Sequence, residues 1–199
     1  MSETVGRREQ KKQTNRKAIL DAGLKVFSSI GYERATIMDI VDASGLSVGT
    51  LYNHFGDKET IFAELIADLI RQVRLVLNDA RSQAHDLESF VMGAFLAYSE
   101  LIEQQPSMQQ LISKNSNVFR QFISAETELT ELVNDLQHDM QNAIEAGIVP
   151  EFPVGLMTSA MMGASIEIFP DEIGSHTSRQ KAEFLGQLFL GGIQRLASV

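Results

Sequence analysis

The segment SVGTLYNHFGDKE, residues 47–59, concentrates hydrogen-bonding side chains in a short stretch of the chain. Thr50, Tyr52, Asn53 and His54 supply a hydroxyl, a phenol, an amide and an imidazole. A helix of about nine residues cannot bury all four groups, because buried polar groups need hydrogen-bond partners. We therefore expect the segment to present a polar side that bonds to something outside the chain.

The remaining sequence offers no recognisable catalytic or metal-binding motif. The four histidines are His54, His85, His138 and His176. None belongs to an HExxH motif or to a paired metal spacing, and no Walker loop or GxGxxG is present. Asp171, Glu172 and His176 cluster in a stretch typical of a solvated linker. Because the chain has no cysteine, thiol catalysis and thiolate metal sites are excluded, and we predict a protein that is not an enzyme, with no metal and no cofactor.

Charge is distributed unevenly along the 199 residues, whose formal net charge is −9. Residues 1–60 carry nine Lys or Arg against eight Asp or Glu, a net of +1, whereas residues 61–199 carry eight against eighteen, a net of −10. A basic block over residues 7–17 contains six Lys or Arg and one acid, Glu9. Such a block indicates a polyanion partner for this end of the chain, although a solvated basic helix face explains it equally well.

Composition is that of an ordinary globular protein, with 44% hydrophobic and 22% charged residues. No apolar run approaches the length of a membrane span, and the first residues are polar and basic, without the apolar core of a signal peptide. The lack of cysteine fits a reducing compartment. We expect a cytoplasmic protein.

Apolar residues recur at helical spacing through nearly the whole chain, and no strand or hairpin signal is present. The pattern predicts about nine helices, the first over Asn15–Ile30 and the last over Ser178–Leu196. The fold class is therefore all-α.

Two short helices are predicted close together, Thr36–Ala43 and Ser47–Phe55. Thr36 is a good N-cap with Asp39 three residues later, and Gly45 supplies a position able to take positive φ. This spacing is typical of a helix-turn-helix, whose second helix enters the major groove of DNA.

The predicted second helix has apolar side chains on one side and polar side chains on the other, as this motif requires. Leu51 and Phe55 can face inward, whereas the polar side chains remain outside. The residues expected at base edges are Val48, Gly49 and Asn53. Tyr52 and His54 are long enough to reach phosphate oxygens.

Residues 18–65, AILDAGLKVFSSIGYERATIMDIVDASGLSVGTLYNHFGDKETIFAEL, resemble the DNA-binding domain of the TetR-type (tetracycline-repressor-like) transcriptional regulators. The string GTLYNHFGDKE is the most specific part of the match. Two positions depart from the family pattern. Gly23 replaces the usual alanine, which should loosen the first helix by about 1 kcal/mol, and Val48 stands where a polar residue or proline is common.

The resemblance implies a homodimer that binds double-stranded DNA at a palindromic operator. It also implies a three-helix helix-turn-helix domain over residues 1–56, a long linking helix over 57–80, and a helical effector-binding and dimerisation domain over 81–199. The predicted DNA-binding residues are Arg34, Thr36, Ser47, Val48, Gly49, Thr50, Tyr52, Asn53, His54 and Lys58.

The last two helices carry apolar stripes that one subunit would struggle to cover, which favours a four-helix interface between two copies. Ordinary packing within one chain is the alternative. The predicted interface residues are Leu156, Ala160, Gly163, Ala164, Leu185, Gly186, Phe189, Ile193 and Leu196.

The C-terminal domain is rich in aromatic and methionine residues, and the resemblance implies a cavity there for a small apolar or amphipathic effector. A plain hydrophobic core explains each such residue as well. The predicted pocket residues are Phe95, Tyr98, Ser99, Met108, Phe122, Asn134, His138, Met157 and Met161.

The function predicted from these patterns is a homodimeric repressor that such an effector releases from its operator. The alternative is a DNA-binding protein of the same family that activates transcription or organises the chromosome without an effector.

Overall fold

A computed structural model describes residues 2–170 and 176–197 of the chain, with side chains described from residue 6 onward. These residues form ten α-helices and no strand. The helices are α1 (Ser2–Ile30), α2 (Ile37–Ser44), α3 (Val48–Tyr52), α4 (Lys58–Ser82), α5 (Leu87–Glu103), α6 (Pro106–Lys114), α7 (Ser116–Ile123), α8 (Thr127–Glu145), α9 (Val154–Ile168) and α10 (Ser178–Leu196). The all-α class is confirmed.

Three helices differ from the sequence-based prediction. Helix α1 starts at Ser2 rather than Asn15, because its polar first half lacks the apolar period on which the prediction relied. Helix α3 covers five residues rather than nine, since the chain leaves the helix after Tyr52. Helix α7 was missed, although its apolar residues recur at helical spacing over 118–123.

Several helix ends follow the predicted local chemistry. Thr36 and Asp39 form the predicted capping box of α2, and Asp86 caps α5 in the same way with Ser89. The chain turns after α1 and α2 at Gly31 (φ 87°) and Gly45 (φ 67°), a conformation that side chains with a Cβ rarely adopt.

The chain divides into two compact units. The first comprises Met1–Asp68 together with Gln110–Ser124, and the second comprises Leu69–Gln109 together with Ala125–Val199. The first unit thus includes α7 and the end of α6, which the sequence-based division had placed in the C-terminal domain.

The core of the first unit contains a cluster of four aromatic rings. The ring of Phe62 lies 5.4 Å from Phe27, 4.9 Å from Tyr32 and 5.0 Å from Phe122, measured between centroids. Because Phe122 comes from α7, residues 110–124 are an integral part of this core. The cluster fixes the start of α4 and the turn that follows α1.

The second unit is built around the packing of α5 on α10. Phe95 stacks on Phe189 with 5.8 Å between ring centroids, and Leu185 is fully buried. Tyr98 makes an edge contact with Phe169, 4.5 Å between centroids. Burial raises the pKa of the Tyr98 phenol to about 12.

Three arginines of α4 pair with acidic side chains of α8. Arg71 contacts Glu128 at 2.7 Å, Arg74 donates to Asp135 at 2.8 Å, and Arg81 donates to Asp139 at 2.8 Å. Arg74 also pairs with Glu131. The ladder holds the second half of α4 against α8.

No helix within the described ranges is long and apolar enough to span a lipid bilayer. In the same residues, no group of three His, Cys, Asp or Glu side chains is arranged to hold a metal ion. Asp171 and Glu172, part of the predicted solvated linker, lie outside the described residues.

Candidate nucleic-acid interface

Helix α2 and the turn after it are set by local hydrogen bonds. The Asp39 carboxylate accepts from the Thr36 hydroxyl at 2.6 Å and from the Thr36 backbone N–H at 2.8 Å. These bonds lower the pKa of Asp39, the hydroxyl bond contributing more. At the other end of α2, the Gly45 N–H donates to the Val41 carbonyl at 3.1 Å. Both helix ends are therefore closed without help from distant residues.

Helix α3 is anchored by Leu51, whose side chain is 0% exposed. The Ser47 hydroxyl caps the helix by accepting from the Thr50 N–H at 3.1 Å. Phe55 is also buried, and its N–H donates to the Leu51 carbonyl at 2.9 Å. Leu51 and Phe55 thus hold α3 against the core, as the sequence pattern predicted.

The opposite side of α3 faces solvent. Tyr52 is 54% exposed, and Val48, Gly49 and Asn53 are exposed as well. The surface is completed by Ser47, which is exposed, and by Thr50 and His54, which are half-buried. A short helix with small residues at its start and hydrogen-bonding groups along one side has the shape and chemistry that a major groove accepts.

Lys58 combines a structural role with its predicted one. Its ammonium donates to the carbonyls of Tyr32 and Ala35, each at 3.0 Å, and lies 4.5 Å from the Tyr32 ring centroid. An ammonium has three donors, so one stays available for a phosphate. Burial, reinforced by the hydrogen bond to Glu59, raises the pKa of the Tyr32 phenol, which keeps that ring neutral.

Two residues near α2 complete the predicted set. Arg34 is exposed in the turn between α1 and α2, and Thr36 is exposed at the start of α2. The predicted DNA-binding residues therefore all lie within residues 34–58 of the first unit. They are on α3, in the turns flanking α2 and α3, and at Lys58, the first residue of α4.

Residues 45–49 also match the GxSxG string of serine hydrolases, so the expectation that the sequence has no such motif is wrong. That motif requires a strand before the serine and an exposed serine oxygen. Here Ser47 follows helix α2, and its oxygen caps α3 and contacts the Thr50 hydroxyl at 2.8 Å. The local structure is that of a helix cap.

Sequence reasoning missed Met38. It is a large apolar side chain on α2 that is mostly exposed, whereas its neighbours Ile40 and Val41 are buried. Its place outside the apolar period of α2 was the available signal. An exposed methionine on the first helix of the helix-turn-helix suits contact with the thymine methyl or sugar groups of DNA.

The predicted pocket residues fall into separate environments. Phe95, Ser99, Met108 and Met157 are buried in the core, and the Ser99 hydroxyl donates to the Leu96 carbonyl at 2.8 Å. Asn134 and His138 are exposed on α8, and Met161 is half-buried on α9. Tyr98 packs on Phe169, as described above, and Phe122 belongs to the first unit.

A groove of about 640 Å³ lies between α4 and α5 in the second unit, and none of the nine predicted pocket residues lines it. Its lining is apolar except for amides, one hydroxyl and two carboxylates, those of Asp79 and Glu100. The lining residues are Leu75, Val76, Asp79, Ala80, Gln83, Ala84, Ser89, Gly93, Leu96, Ala97, Glu100, Leu101 and Gln104.

The predicted interface residues divide between two sides of their helices. Leu185, Gly186 and Ile193 are buried within the chain, against its own core. Phe189 and Ala164 are half-buried. The exposed members are Leu156, Ala160, Gly163 and Leu196.

Two further apolar residues of α10 lie on its free side. Phe184 is 60% exposed and Leu188 is 55% exposed. They were overlooked because α10 is apolar on two sides, and the sequence alone does not say which side faces inward.

The family model for bacterial regulatory proteins, tetR family, matches residues 19–65, the region that holds α2, α3 and the start of α4. The HTH-type transcriptional repressor KstR2 of Rhodococcus jostii is 25% identical over 145 residues, covering 69% of this chain and 67% of that protein.

Solved structures show the same fold. The fatty acid degradation regulator FadR from Bacillus halodurans superposes with a TM-score of 0.76 at 20% identity, covering 90% of this chain and 96% of that one. The regulator FadR from Bacillus subtilis, solved in complex with stearoyl-CoA, gives a TM-score of 0.72 at 18% identity, covering 89% and 98%.

Proposed function

Because this chain belongs to the tetR family of bacterial regulatory proteins, we propose that it is a homodimeric repressor that an effector releases from a palindromic operator. The chain is a DNA-binding transcriptional regulator. The finer proposal rests on one observation above all. The side of α3 opposite the buried Leu51 is exposed and carries small and hydrogen-bonding side chains.

In the proposed complex α3 lies in the major groove. Val48, Gly49 and Asn53 meet base edges, while Tyr52, His54 and Lys58 bind phosphates. Two copies related by a twofold axis place their α3 helices on half-sites about 34–36 Å apart. Phosphate contacts set position on the duplex, and the base contacts set sequence preference.

Selection of bound DNA duplexes from a random-sequence pool by the 199-residue protein tests this proposal. A palindromic consensus that overlaps a promoter is expected for a repressor. Recovery of sites dispersed far from promoters would favour a role in chromosome organisation, and an unselective pool would contradict sequence-specific binding.

Substitutions on α3 then test whether this helix binds in the major groove of the selected duplex. Tyr52→Ala should weaken binding to specific and random duplexes alike, because it removes a phosphate contact. Val48→Ala and Asn53→Ala should change the preference between sequences. Asn142→Ala, exposed on α8 in the second unit, is the matched control and should bind like the parent. Unchanged affinity in all three α3 variants would contradict the assignment.

The free apolar side of α9 and α10 supports the dimer. Leu156, Phe184 and Leu188 are more than half exposed in the single chain, and they lie on two helices that contact each other. Large apolar side chains exposed on neighbouring helices favour an interaction site there. A second copy would cover it with the same surface, as twofold symmetry requires.

The oligomeric state in solution tests the dimer. Sedimentation should show a dimer for the parent and a monomer for the variant Phe184→Asp/Leu188→Asp. Gln187→Asp places a single aspartate on an exposed position of the same helix and should leave the dimer intact. A dimeric double-aspartate variant would contradict this interface.

The groove between α4 and α5 is the proposed effector site. Its apolar floor suits an alkyl or aromatic body, and its volume suits a small molecule. The stearoyl-CoA in the FadR structure makes acyl-CoA one candidate. The groove has two carboxylates and no Lys, Arg or His in its lining, which favours a neutral or cationic headgroup over the phosphates of coenzyme A.

A release assay on the selected duplex compares headgroups at a fixed alkyl length. Dodecylamine or a neutral dodecyl glycoside should release the duplex at lower concentration than dodecanoyl-CoA. Ala97→Phe, which fills the groove, should bind DNA like the parent and lose the release. Equal release from the parent and Ala97→Phe would contradict the assignment of this groove.

A further inference from the structure

Helix α1 carries an exposed extension, residues 6–14, which precedes the first half-buried positions of the helix. The first fully buried residue of α1 is Ile19. At 1.5 Å per residue, the nine residues of the extension continue the helix by about 13 Å. The extension contains no apolar side chain, so it has no hydrophobic stripe with which to pack on a protein core.

The extension carries four cations and one acid, Glu9, a net charge of +3. The cations are Arg7, Arg8, Lys11 and Lys12. Among the described residues none of the four has an ion-pair partner. At 100° per residue they fall within about 140° of the helix circumference, and Glu9 lies outside that arc. We call these four residues the cationic strip.

The strip is unfavourable for the isolated helix. Arg7 and Lys11, and likewise Arg8 and Lys12, are like charges four residues apart, an arrangement that destabilises a helix. No contact with the described residues offsets this repulsion. A row of anions along the strip would remove it.

The contacts of Arg16 show which part of the first unit lies next to the C-terminal end of the strip. Its guanidinium pairs with Glu64 at 3.0 Å and lies 5.3 Å from the ring centroid of Phe55. Phe55 follows the end of α3 by three residues. The C-terminal end of the extension therefore lies near the end of α3.

The strip also lies on a defined side of α1. Helical geometry places Arg8 and Lys12 within about 20° of Ile19, which faces the core of the first unit. The strip thus continues the buried side of α1 past the point where protein covers it. A duplex held by α3 would supply phosphates to this uncovered side.

We propose that the cationic strip binds phosphates of the same DNA duplex that α3 contacts, outside the major groove. The inference rests on the proposed DNA-binding role of α3 and adds a second contact element to it. Charge selects DNA as the occupant, because residues 61–199 are strongly acidic overall and the strip is the most basic part of the chain. Since phosphates carry no sequence information, the strip adds affinity without changing sequence preference.

Salt dependence tests the strip on a random-sequence duplex of 30 base pairs. The variant Arg7→Gln/Arg8→Gln/Lys11→Gln/Lys12→Gln loses four cations per subunit. Each lost phosphate contact lowers the slope of log affinity against log salt by about 0.9, so the slope should fall by about 3.6 per subunit. Between 0.05 and 0.2 M salt, the parent should lose about 150-fold more affinity per subunit than the variant.

A matched pair of double variants separates position from net charge. Lys11→Gln/Lys12→Gln should lower the slope by about 1.8 per subunit. Lys17→Gln/Lys25→Gln removes the same charge from exposed positions of the same helix and should leave the slope unchanged. Equal slopes for the two double variants would overturn the proposal.

The assay also separates this proposal from the proposed function. If Tyr52→Ala weakens binding while the fourfold variant keeps the parental slope, the strip proposal is wrong and the α3 assignment stands. If the fourfold variant and all three α3 variants, Tyr52→Ala, Val48→Ala and Asn53→Ala, leave binding unchanged, both proposals are wrong. Binding of the parent, but not of the fourfold variant, to vesicles containing phosphatidylglycerol, with an unchanged DNA slope, would assign the strip to a membrane and overturn the proposal.

Discussion

Asn115 bonds to both sides of the turn that ends α1: its Nδ2 donates to the Phe27 carbonyl at 3.2 Å, and its Oδ1 accepts from the Tyr32 N–H at 2.6 Å. Nδ2 also donates to the Leu111 carbonyl at 2.6 Å. The side chain is buried at the junction of α6 and α7. One amide thus satisfies backbone groups of two segments that are far apart in sequence, and it ties residues 110–124 to the turn before α2.

Replacing this amide should destabilise the protein. Asn115→Ala leaves the half-buried Tyr32 N–H and the carbonyls of Phe27 and Leu111 without their partner, at a cost of about 2 kcal/mol in the free energy of unfolding. Urea unfolding followed by circular dichroism measures the change. Asn117→Ala, exposed two residues later on α7, is the control and should change stability by less than about 0.5 kcal/mol. Equal stabilities for the two variants would mean that the Asn115 bonds contribute nothing.

Gly23 should resist replacement by the alanine that is usual at this position of the family pattern. A Cβ at Gly23 would lie 2.7 Å from Cγ2 of Ile61, a fully buried β-branched residue. Overpacking costs about 1–3 kcal/mol, whereas better helix propensity returns about 1 kcal/mol. We expect Gly23→Ala to lower the free energy of unfolding by about 1 kcal/mol.

Gly93→Ala is the control for this prediction, because a Cβ there meets nothing within 4 Å. It should raise the free energy of unfolding by about 0.5–1 kcal/mol through helix propensity alone. Chemical unfolding measures both variants. If Gly23→Ala were as stabilising as Gly93→Ala, the contact between α1 and α4 would have to be looser than the structure shows.

In the arginine ladder between α4 and α8, the contribution of each ion pair to the free energy of unfolding should depend on how deeply the pair is buried. Burial lowers the pKa of the Arg81 guanidinium, and the Asp139 carboxylate opposes that shift. Asp139→Asn removes the charge that offsets this burial. Breaking a fully buried pair costs about 3–5 kcal/mol, and we expect about 2 kcal/mol here because Asp139 is partly exposed.

Glu131→Gln is the matched control in the same ladder. It pairs with Arg74 on a more exposed part of the surface, where an ion pair is worth less than about 1 kcal/mol. Thermal and urea unfolding of the two variants should separate them clearly. A larger loss for Glu131→Gln than for Asp139→Asn would contradict the assigned role of burial.

The capping box of α2 should make stability depend on pH. Hydrogen bonds from Thr36 lower the pKa of Asp39 below the ordinary aspartate value of 3.8. A carboxyl group whose pKa is lower in the folded state stabilises the fold at pH above 3.8, and that contribution is lost as pH falls through the folded pKa. The stability difference between the parent and Asp39→Asn should therefore be larger at pH 7 than at pH 3.

Unfolding curves at the two pH values test this expectation. Asp42→Asn changes an exposed carboxylate on the same helix that has no capping bond among the described contacts, and it should show no such pH-dependent difference. A difference between parent and Asp39→Asn that grows as pH falls would contradict the sign derived above.

Sequence reasoning worked best where structure is set by neighbouring residues. The capping box of Thr36 and Asp39, the positive φ of Gly45 and the bounds of α10 all follow from residues within a few positions of one another. The same holds for the buried and exposed sides of α3, since one buried leucine fixes the helix rotation. The length of α3 was wrong because the turn after Tyr52 has no glycine or proline to mark it.

The sequence by itself determined the all-α fold, the helix-turn-helix and the residues exposed on α3, because helix periodicity and capping are local properties of the chain. Tertiary structure decided that Phe122 and Asn115 belong to the first unit, that Gly23 lies against Ile61, and that Leu185 rather than Phe184 faces the core. These outcomes depend on which surfaces meet across dozens of residues. A helix that is apolar on two sides does not encode that choice locally, and only the packing of its neighbours resolves it.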